Sequence, residues 1–267
     1  MKPIIDREEL ERLGESLHEQ YVNADPFPHI VIDDFFPAEV LDDVLAVFPG
    51  PADMEFYKYD NPLEKKLAMD QLERLPDPIV RVLQFFNSVP MLKFAEKLTG
   101  IPCIIPDPYY RGGGIHQMET GGKLDVHIDF NLHGELNLDR RLNAIIYLNK
   151  DWEAEYGGDL ELWSGHREDG KHVLDERLQK IAPLFNRLVV FDTDERSYHG
   201  LPEPMRCPDD RTRRSMAVYY YTNGRPEGEK VDAHSTTFIA RPEEADDEEL
   251  NALREKRNKG RLSSNVK

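Results

Sequence analysis

The stretch KLDVHIDF, residues 123–130, alternates without a slip: Lys123, Asp125, His127 and Asp129 fall on one side, Leu124, Val126, Ile128 and Phe130 on the other. That period of two belongs to a β-strand with one apolar face. Positions two apart project together, so the His127 imidazole and the Asp129 carboxylate reach for one point. Two imidazoles and one carboxylate on a single face of a metal, with the remaining positions open, is the ligand set that supports dioxygen chemistry at non-heme Fe(II). A lone His-x-Asp is common by chance in a chain with nine histidines and 51 acidic residues, so a second imidazole has to come from another element. His116, His133, His166, His172, His199 and His234 are available. His199 is the best placed, after NRLVVFDTDERSYHG, where a strong β-run ends and Gly200 permits a tight turn.

A second polar feature lies downstream in RTRRSMAVYYYT, a β-run led by arginines. A buried Arg at its head offers a planar fork to the carboxylate of a dicarboxylate co-substrate, whereas Arg211 and Arg214 read as a solvated edge.

The elements that must position these groups change character near Cys103. Before it the chain reads as mainly helical. Asp6 with Glu9 has the spacing of a capping box and opens a helix running to about Tyr21. PFPHIVIDDFF supplies a short strand, PAEVLDDVLAVFPG a short helix and EFYKYD a further strand. Apolar positions from Leu67 to Leu98, interrupted by Pro76, Pro78 and Pro90, suggest two or three more helices. After Cys103, YRGGGIHQM, KLDVHIDF, RLNAIIYLN, GGDLELW, RLVVFDT and RRSMAVYYYT recur as β-type runs between Gly, Asn and Asp clusters, the pattern of an antiparallel sandwich or barrel. The boundaries expected are one domain over 1–240, with 1–100 as helical support and 101–225 as the β core. The segment 241–267 follows as a solvated, charged helix and tail with a frayed end; its acids precede its bases, as the helix dipole favours.

Composition narrows the classes. The net charge of −17 argues against a nucleic-acid partner, whose binding relies on basic residues releasing counterions. No apolar run approaches the roughly 18 residues of a membrane span. The charged start MKPIIDREELERLG lacks the apolar stretch of a signal peptide, and Cys103 and Cys207 form no disulfide framework or metal-binding spacing, so a reducing cytoplasm is the simplest compartment.

Taken in order, His127-x-Asp129, His199-Gly200 and Arg213 before RSMAVYYY resemble the Fe(II)/2-oxoglutarate-dependent dioxygenases, specifically the prolyl-4-hydroxylase-like branch. IIYLNKDW followed by GGDLELW is similar to the strand pair after the His-x-Asp in that branch, and PFPHIVIDDFFP resembles the N-terminal part of bacterial members. The resemblance spans about Tyr109 to Arg225. It implies a β-rich α+β fold, a double-stranded β-helix or jelly roll with N-terminal helices packed on the major sheet. It further implies Fe(II) on His127, Asp129 and His199, with O2 and 2-oxoglutarate as co-substrates and ascorbate as an optional reductant.

By the same resemblance Arg213, rather than Arg214, holds the distal carboxylate of 2-oxoglutarate, with Tyr147 assisting and Ser215 on the same face. Gln117 stands where relatives carry a tyrosine. The loop PEPMRCPDDRT is longer than in many relatives, and a carboxylate at Asp129 disfavours a halogenase. Asn131, Asn143 and Arg141 are candidate substrate contacts, while Arg140 and Arg141 also read as surface ion-pair partners of Asp139 or Glu135. Three functions are carried forward: hydroxylation of a prolyl or other residue in a peptide or protein, hydroxylation of a free amino acid or small metabolite, and a non-catalytic metal-binding β-barrel.

Overall fold

The computed structural model describes residues 4–259. In chain order the elements are α1 (Arg7–Val22), β1 (His29–Ile32), α2 (Ala38–Ala46), β2 (Tyr57–Asn61), β3 (Glu64–Met69), α3 (Asp77–Phe86), α4 (Val89–Thr99), β4 (Ile105–Pro106), β5 (Gly114–Met118), β6 (Lys123–Ile128), β7 (Asp139–Tyr147), β8 (Leu160–Glu168), β9 (Lys171–Ile181), β10 (Leu188–Asp192), β11 (Tyr198–Leu201), β12 (Arg213–Thr222), β13 (Thr237–Phe238) and α5 (Glu248–Asn258). The strands pair in the order β1-β10-β7-β12-β5-β3-β6-β11-β8-β9. This path curls on itself: β10-β7-β12-β5 forms a major array, β6-β11-β8-β9 a minor array, and β3 joins them. The result is a double-stranded β-helix.

Each strand of the major array has two loaded faces. Leu142, Ala144, Ile146, Leu188, Val190, Met216 and Val218 pack with the helices in the main core, and Tyr220 donates to the Phe86 carbonyl of α3 at 2.8 Å. The opposite face points into the barrel, where Tyr147, Val189 and Phe191 meet Leu160 and Leu162 of the minor array. Helix α1 starts where its cap requires, with the Asp6 carboxylate accepting from the backbone N–H of Glu8 and Glu9. It crosses α4 so closely at Gly14 that a Cβ there would lie 2.7 Å from the Phe94 carbonyl oxygen.

Several expectations are corrected. Leu67 lies in β3, not in a helix. Pro76 precedes α3, while Pro78 and Pro90 sit in the first turns of α3 and α4, so these prolines begin helices instead of breaking them. β9 runs its charged and apolar residues in blocks, Val173-Leu174 before Asp175-Glu176-Arg177, and β11 has four residues, so neither shows a readable period. Gly200 makes no turn: it lies within β11, where a Cβ would come within 2.9 Å of the Leu124 carbonyl oxygen and of Val126 Cα.

Within the charged segment after residue 241, α5 is a docked helix. Arg254 of α5 is only 3% exposed and pairs with Asp125 at 2.9 Å and with Glu244. The acid-to-base order is as expected, but one inward arginine matched to a buried carboxylate is invisible to charge patterning. The frayed end lies outside the described residues. Among the described residues no helix is long and apolar enough to cross a membrane.

One contact between α1 and the sheet carries a pH dependence. Tyr21 donates to Asp192 at 2.6 Å, and burial pushes the Asp192 carboxyl up to about 6 despite that bond. A carboxyl whose folded value exceeds its unfolded value favours the fold while protonated, and that contribution fades as pH rises from about 4 to about 6. Asp192→Asn is therefore expected to gain on wild type by on the order of 2–3 kcal/mol between pH 4 and pH 7, read from urea melts at both pH values. A constant difference would refute it.

Candidate metal centre

The polar face of residues 123–130 does not meet bulk water: Asp125 is 1% exposed and His127 4%. His127 pairs directly with His199 across β6 and β11, and their ring centroids lie 4.3 Å apart. A backbone carbonyl only accepts hydrogen bonds. The contacts of His127 Nδ1 with the Asp125 carbonyl at 2.9 Å and of His199 Nδ1 with the Ser197 carbonyl at 2.8 Å therefore place the ring protons on Nδ1. Both Nε2 atoms keep free lone pairs. They face Asp129, just beyond the end of β6, at 3.7 Å from Oδ1 and 3.5 Å from Oδ2 respectively. One donor atom from each of the three side chains falls within 4.8 Å of the others, close enough to share one ion.

The electrostatics prepare this set. Burial opposes the Asp129 charge, but the Arg140 guanidinium and the two imidazoles hold its carboxyl well below the usual range. Burial, reinforced by His127, pushes His199 down to about 3, which keeps it in the neutral form a metal requires. Arg140 Nη2 donates to Asp129 Oδ2 at 2.8 Å and Asn143 Nδ2 to the same oxygen at 3.2 Å. Oδ1 is left without a protein hydrogen bond among the described residues. Aromatic rings border the set: Phe191 lies 4.7 Å from the His199 ring and Phe238 5.7 Å from that of His127. The donor identities, the tautomers and the apolar border fit a ferrous ion on a two-histidine, one-carboxylate face.

Along the barrel-facing side of β7 and β12, Tyr147 lies directly across from Ser215, two residues from Arg213. The Arg213 guanidinium sits 4.8 Å from the Tyr147 ring centroid and spends its Nε–H on the Gly158 carbonyl at 2.7 Å. The Tyr147 hydroxyl is buried without a hydrogen-bond partner among the described residues, and burial keeps the phenol protonated. A buried donor left unpaired beside a cation fits a carboxylate ligand. Arg214 points the other way, against Phe48 on the helical side.

Four sequence candidates are placed otherwise than expected. Gln117 pairs with Arg214, not with Ser215, so it shares the helical face and bonds Thr212 and the Pro49 carbonyl; the residues of β5 on the barrel face are Gly114, His116 and Met118, across from Ala217, Ser215 and Arg213. Asn131 holds the 232–234 backbone, accepting from His234 N and donating to the Asp232 carbonyl. Asn143 orients Asp129, and Arg141 pairs with Glu229 at 3.1 Å. The sequence reading missed Arg140, which is fully buried, not at the surface, and stacks 3.5 Å from the Tyr219 ring centroid and 4.4 Å from that of Phe130. His133 faces Asp107, and His172 and His234 face Glu195, all outside the metal set.

Comparison with known proteins agrees with this geometry. Residues 113–221 match the family described as the 2OG-Fe(II) oxygenase superfamily. Mouse prolyl 3-hydroxylase OGFOD1 is 24% identical over 201 residues, 75% of this chain and 34% of that protein. Human prolyl hydroxylase EGLN3 is 32% identical over 96 residues, 36% of this chain and 33% of that protein. The chain thus spans about a third of the length of these curated relatives. Among solved structures, a Pseudomonas putida prolyl-4-hydroxylase superposes with a TM-score of 0.55 at 16% identity, covering 79% of this chain and 100% of the other. The epimerase SnoN, solved with Fe3+, alpha ketoglutarate and nogalamycin RO, gives a TM-score of 0.52 at 14% identity over 89% and 98% of the two chains. At such identities the superpositions speak for the fold alone.

Proposed function

We propose that this chain, whose residues 113–221 match the 2OG-Fe(II) oxygenase superfamily, is an Fe(II)/2-oxoglutarate-dependent hydroxylase acting on a prolyl or other residue within a polypeptide. The observation that carries the reading is the convergence of His127, Asp129 and His199 on one point inside the barrel. A ferrous ion there, with 2-oxoglutarate and O2, supplies the oxidative decarboxylation to succinate and CO2 that drives hydroxylation of an unactivated C–H. The chain supplies the rest. His127 and His199 present Nε2 because Nδ1 is tied to the backbone, and Asp129 presents Oδ1 because Arg140 and Asn143 occupy Oδ2. Arg213 and the Tyr147 hydroxyl hold the distal carboxylate of the co-substrate. Phe191 and Val189 keep that part of the barrel dry.

One feature supports a polypeptide substrate: the relatives reported above are prolyl hydroxylases. The test is succinate formation by the iron-loaded chain, with peptides and free amino acids screened by mass spectrometry for a gain of one oxygen. Oxygen gain on a peptide, lost in His199→Ala, is the expected result; gain on free amino acids alone would refute the polypeptide assignment, and no succinate with any substrate would refute the activity.

The two arginines at the head of β12 separate sharply. Losing a charge-assisted contact worth about 1.5–3 kcal/mol, Arg213→Met is expected to raise KM for 2-oxoglutarate by roughly 10–100-fold. Arg214→Met, on the helical face, should shift it by less than about threefold. Equal effects would contradict the assignment.

A further inference from the structure

The C-terminal helix reaches the metal strand at one buried point. Arg254 Nη2 donates to Asp125 Oδ2 at 2.9 Å, where the two residues are 3% and 1% exposed. Lys123 Nζ lies 2.6 Å from the other carboxylate oxygen. Arg254 is itself held, by Glu244 and by Asn251 Oδ1 at 2.9 Å. Asp125 is the residue whose carbonyl receives the His127 Nδ1–H at 2.9 Å, the bond that turns Nε2 toward Asp129.

The Asp125 N–H bonds the Leu63 carbonyl at 2.8 Å and Ile239 N–H bonds the Val126 carbonyl at 2.9 Å, but regular strand pairing is interrupted around the Asp125 carbonyl. On one edge of β6, β3 pairs only at Lys123 and Leu124, while β13 pairs only at His127 and Ile128. On the other edge the β6–β11 register shifts between His199 and Leu201, so Gly200 sits across from Asp125 and Val126 without regular pairing. The carbonyl that orients a metal ligand therefore lies at a seam between two partner strands and opposite an irregularity. The ion pair from α5 crosses that seam. The same helix holds β13, since Asn258 bonds both the N–H and the carbonyl of Phe238 at 2.9 Å, and Phe238 pairs with His127.

We propose that Arg254 is a positioning residue for the metal centre, fixing the Asp125 carbonyl and through it the His127 ring, so that the C-terminal helix belongs to the metal-binding unit. This rests on the reading of His127, Asp129 and His199 as metal ligands. Without Arg254, the Asp125 carboxylate is left buried with Lys123 alone, and β6 shifts to relieve it. Partners that orient a ligating histidine typically govern metal affinity by 10–100-fold.

The test is anaerobic titration of the full-length chain with Co(II), following its visible absorption bands and the dissociation constant. Arg254→Met is compared with wild type and with Arg257→Met, which frees α5 from Glu64 of β3 without touching Asp125. Expected are affinity weakened by about 10-fold or more and altered bands in Arg254→Met, wild-type behaviour in Arg257→Met, and recovery to within about threefold when Asp125→Asn is added to Arg254→Met. Wild-type affinity and bands in Arg254→Met would overturn the proposal, as would equal losses in both arginine variants. Should Arg254→Met not fold, Arg254→Lys takes its place with the same outcomes, because it keeps the charge but not the planar fork whose Nη1 is held by Asn251 while Nη2 meets Asp125 and Glu244. Failure of the wild-type chain to bind Co(II) would instead overturn the metal reading beneath it.

Discussion

Asp129→Ala is expected to abolish succinate formation from 2-oxoglutarate and to cost about 3–5 kcal/mol of stability. The first effect follows from the donor set, since two imidazoles alone no longer present a charged oxygen to a divalent ion. The second follows from Arg140, which is fully buried and donates from its side chain to Asp129. Removing the carboxylate strands a guanidinium between Tyr219 and Phe130, with Nε and Nη1 already without a partner among the described residues. The assay and a urea melt separate the two effects. Retained turnover would contradict the ligand role, and unchanged stability would contradict the buried pair.

The second large effect is the reciprocal change. In Arg140→Leu the burial that opposes the Asp129 charge is countered by the two imidazoles alone, so the carboxyl moves up from its depressed position. In wild type the depressed value means that the fold gains from ionised Asp129 above the unfolded carboxyl range and loses that gain as pH falls. In the variant only the two imidazoles still hold the carboxyl down, so that gain is smaller and less of it is lost as pH falls. A deficit of about 3–5 kcal/mol at pH 7 is expected, shrinking as pH falls below about 4. Metal affinity should weaken by roughly 10–100-fold, because Asp129 loses the donor that fixes its orientation. Melts in both pH ranges and a Co(II) titration check both parts. A deficit independent of pH would mean that Arg140 acts through packing alone.

What the sequence disclosed, and what it withheld, follows from the range of the signals. His127 and Asp129 were legible because strand alternation is a local pattern, and His199 because it follows a strong β-run in the same order. The Asp6 cap and the start of α1 were legible for the same reason. Gln117 was misplaced because the glycines at 112–114 break the alternation that would set the phase of β5. Only the pairing of His116 with Ser215 fixes which face looks inward. Arg140 and Arg254 were read as surface charges because their partners, Asp129 and Asp125, stand 11 and 129 positions away. A one-dimensional charge pattern carries no record of such pairings. Asn131 is likewise paired far along the chain, both ends of its side-chain amide being taken by the backbone at 232–234.

The central claim is that three side chains share one ferrous ion within the barrel. Anomalous diffraction at the iron edge, from crystals of the full chain grown anaerobically with Fe(II) and 2-oxoglutarate, tests it most directly. The expected result is a single strong peak within bonding distance of His127 Nε2, Asp129 Oδ1 and His199 Nε2, absent from the His199→Ala chain. A peak at another cluster, or none at this one under saturating iron, would contradict it.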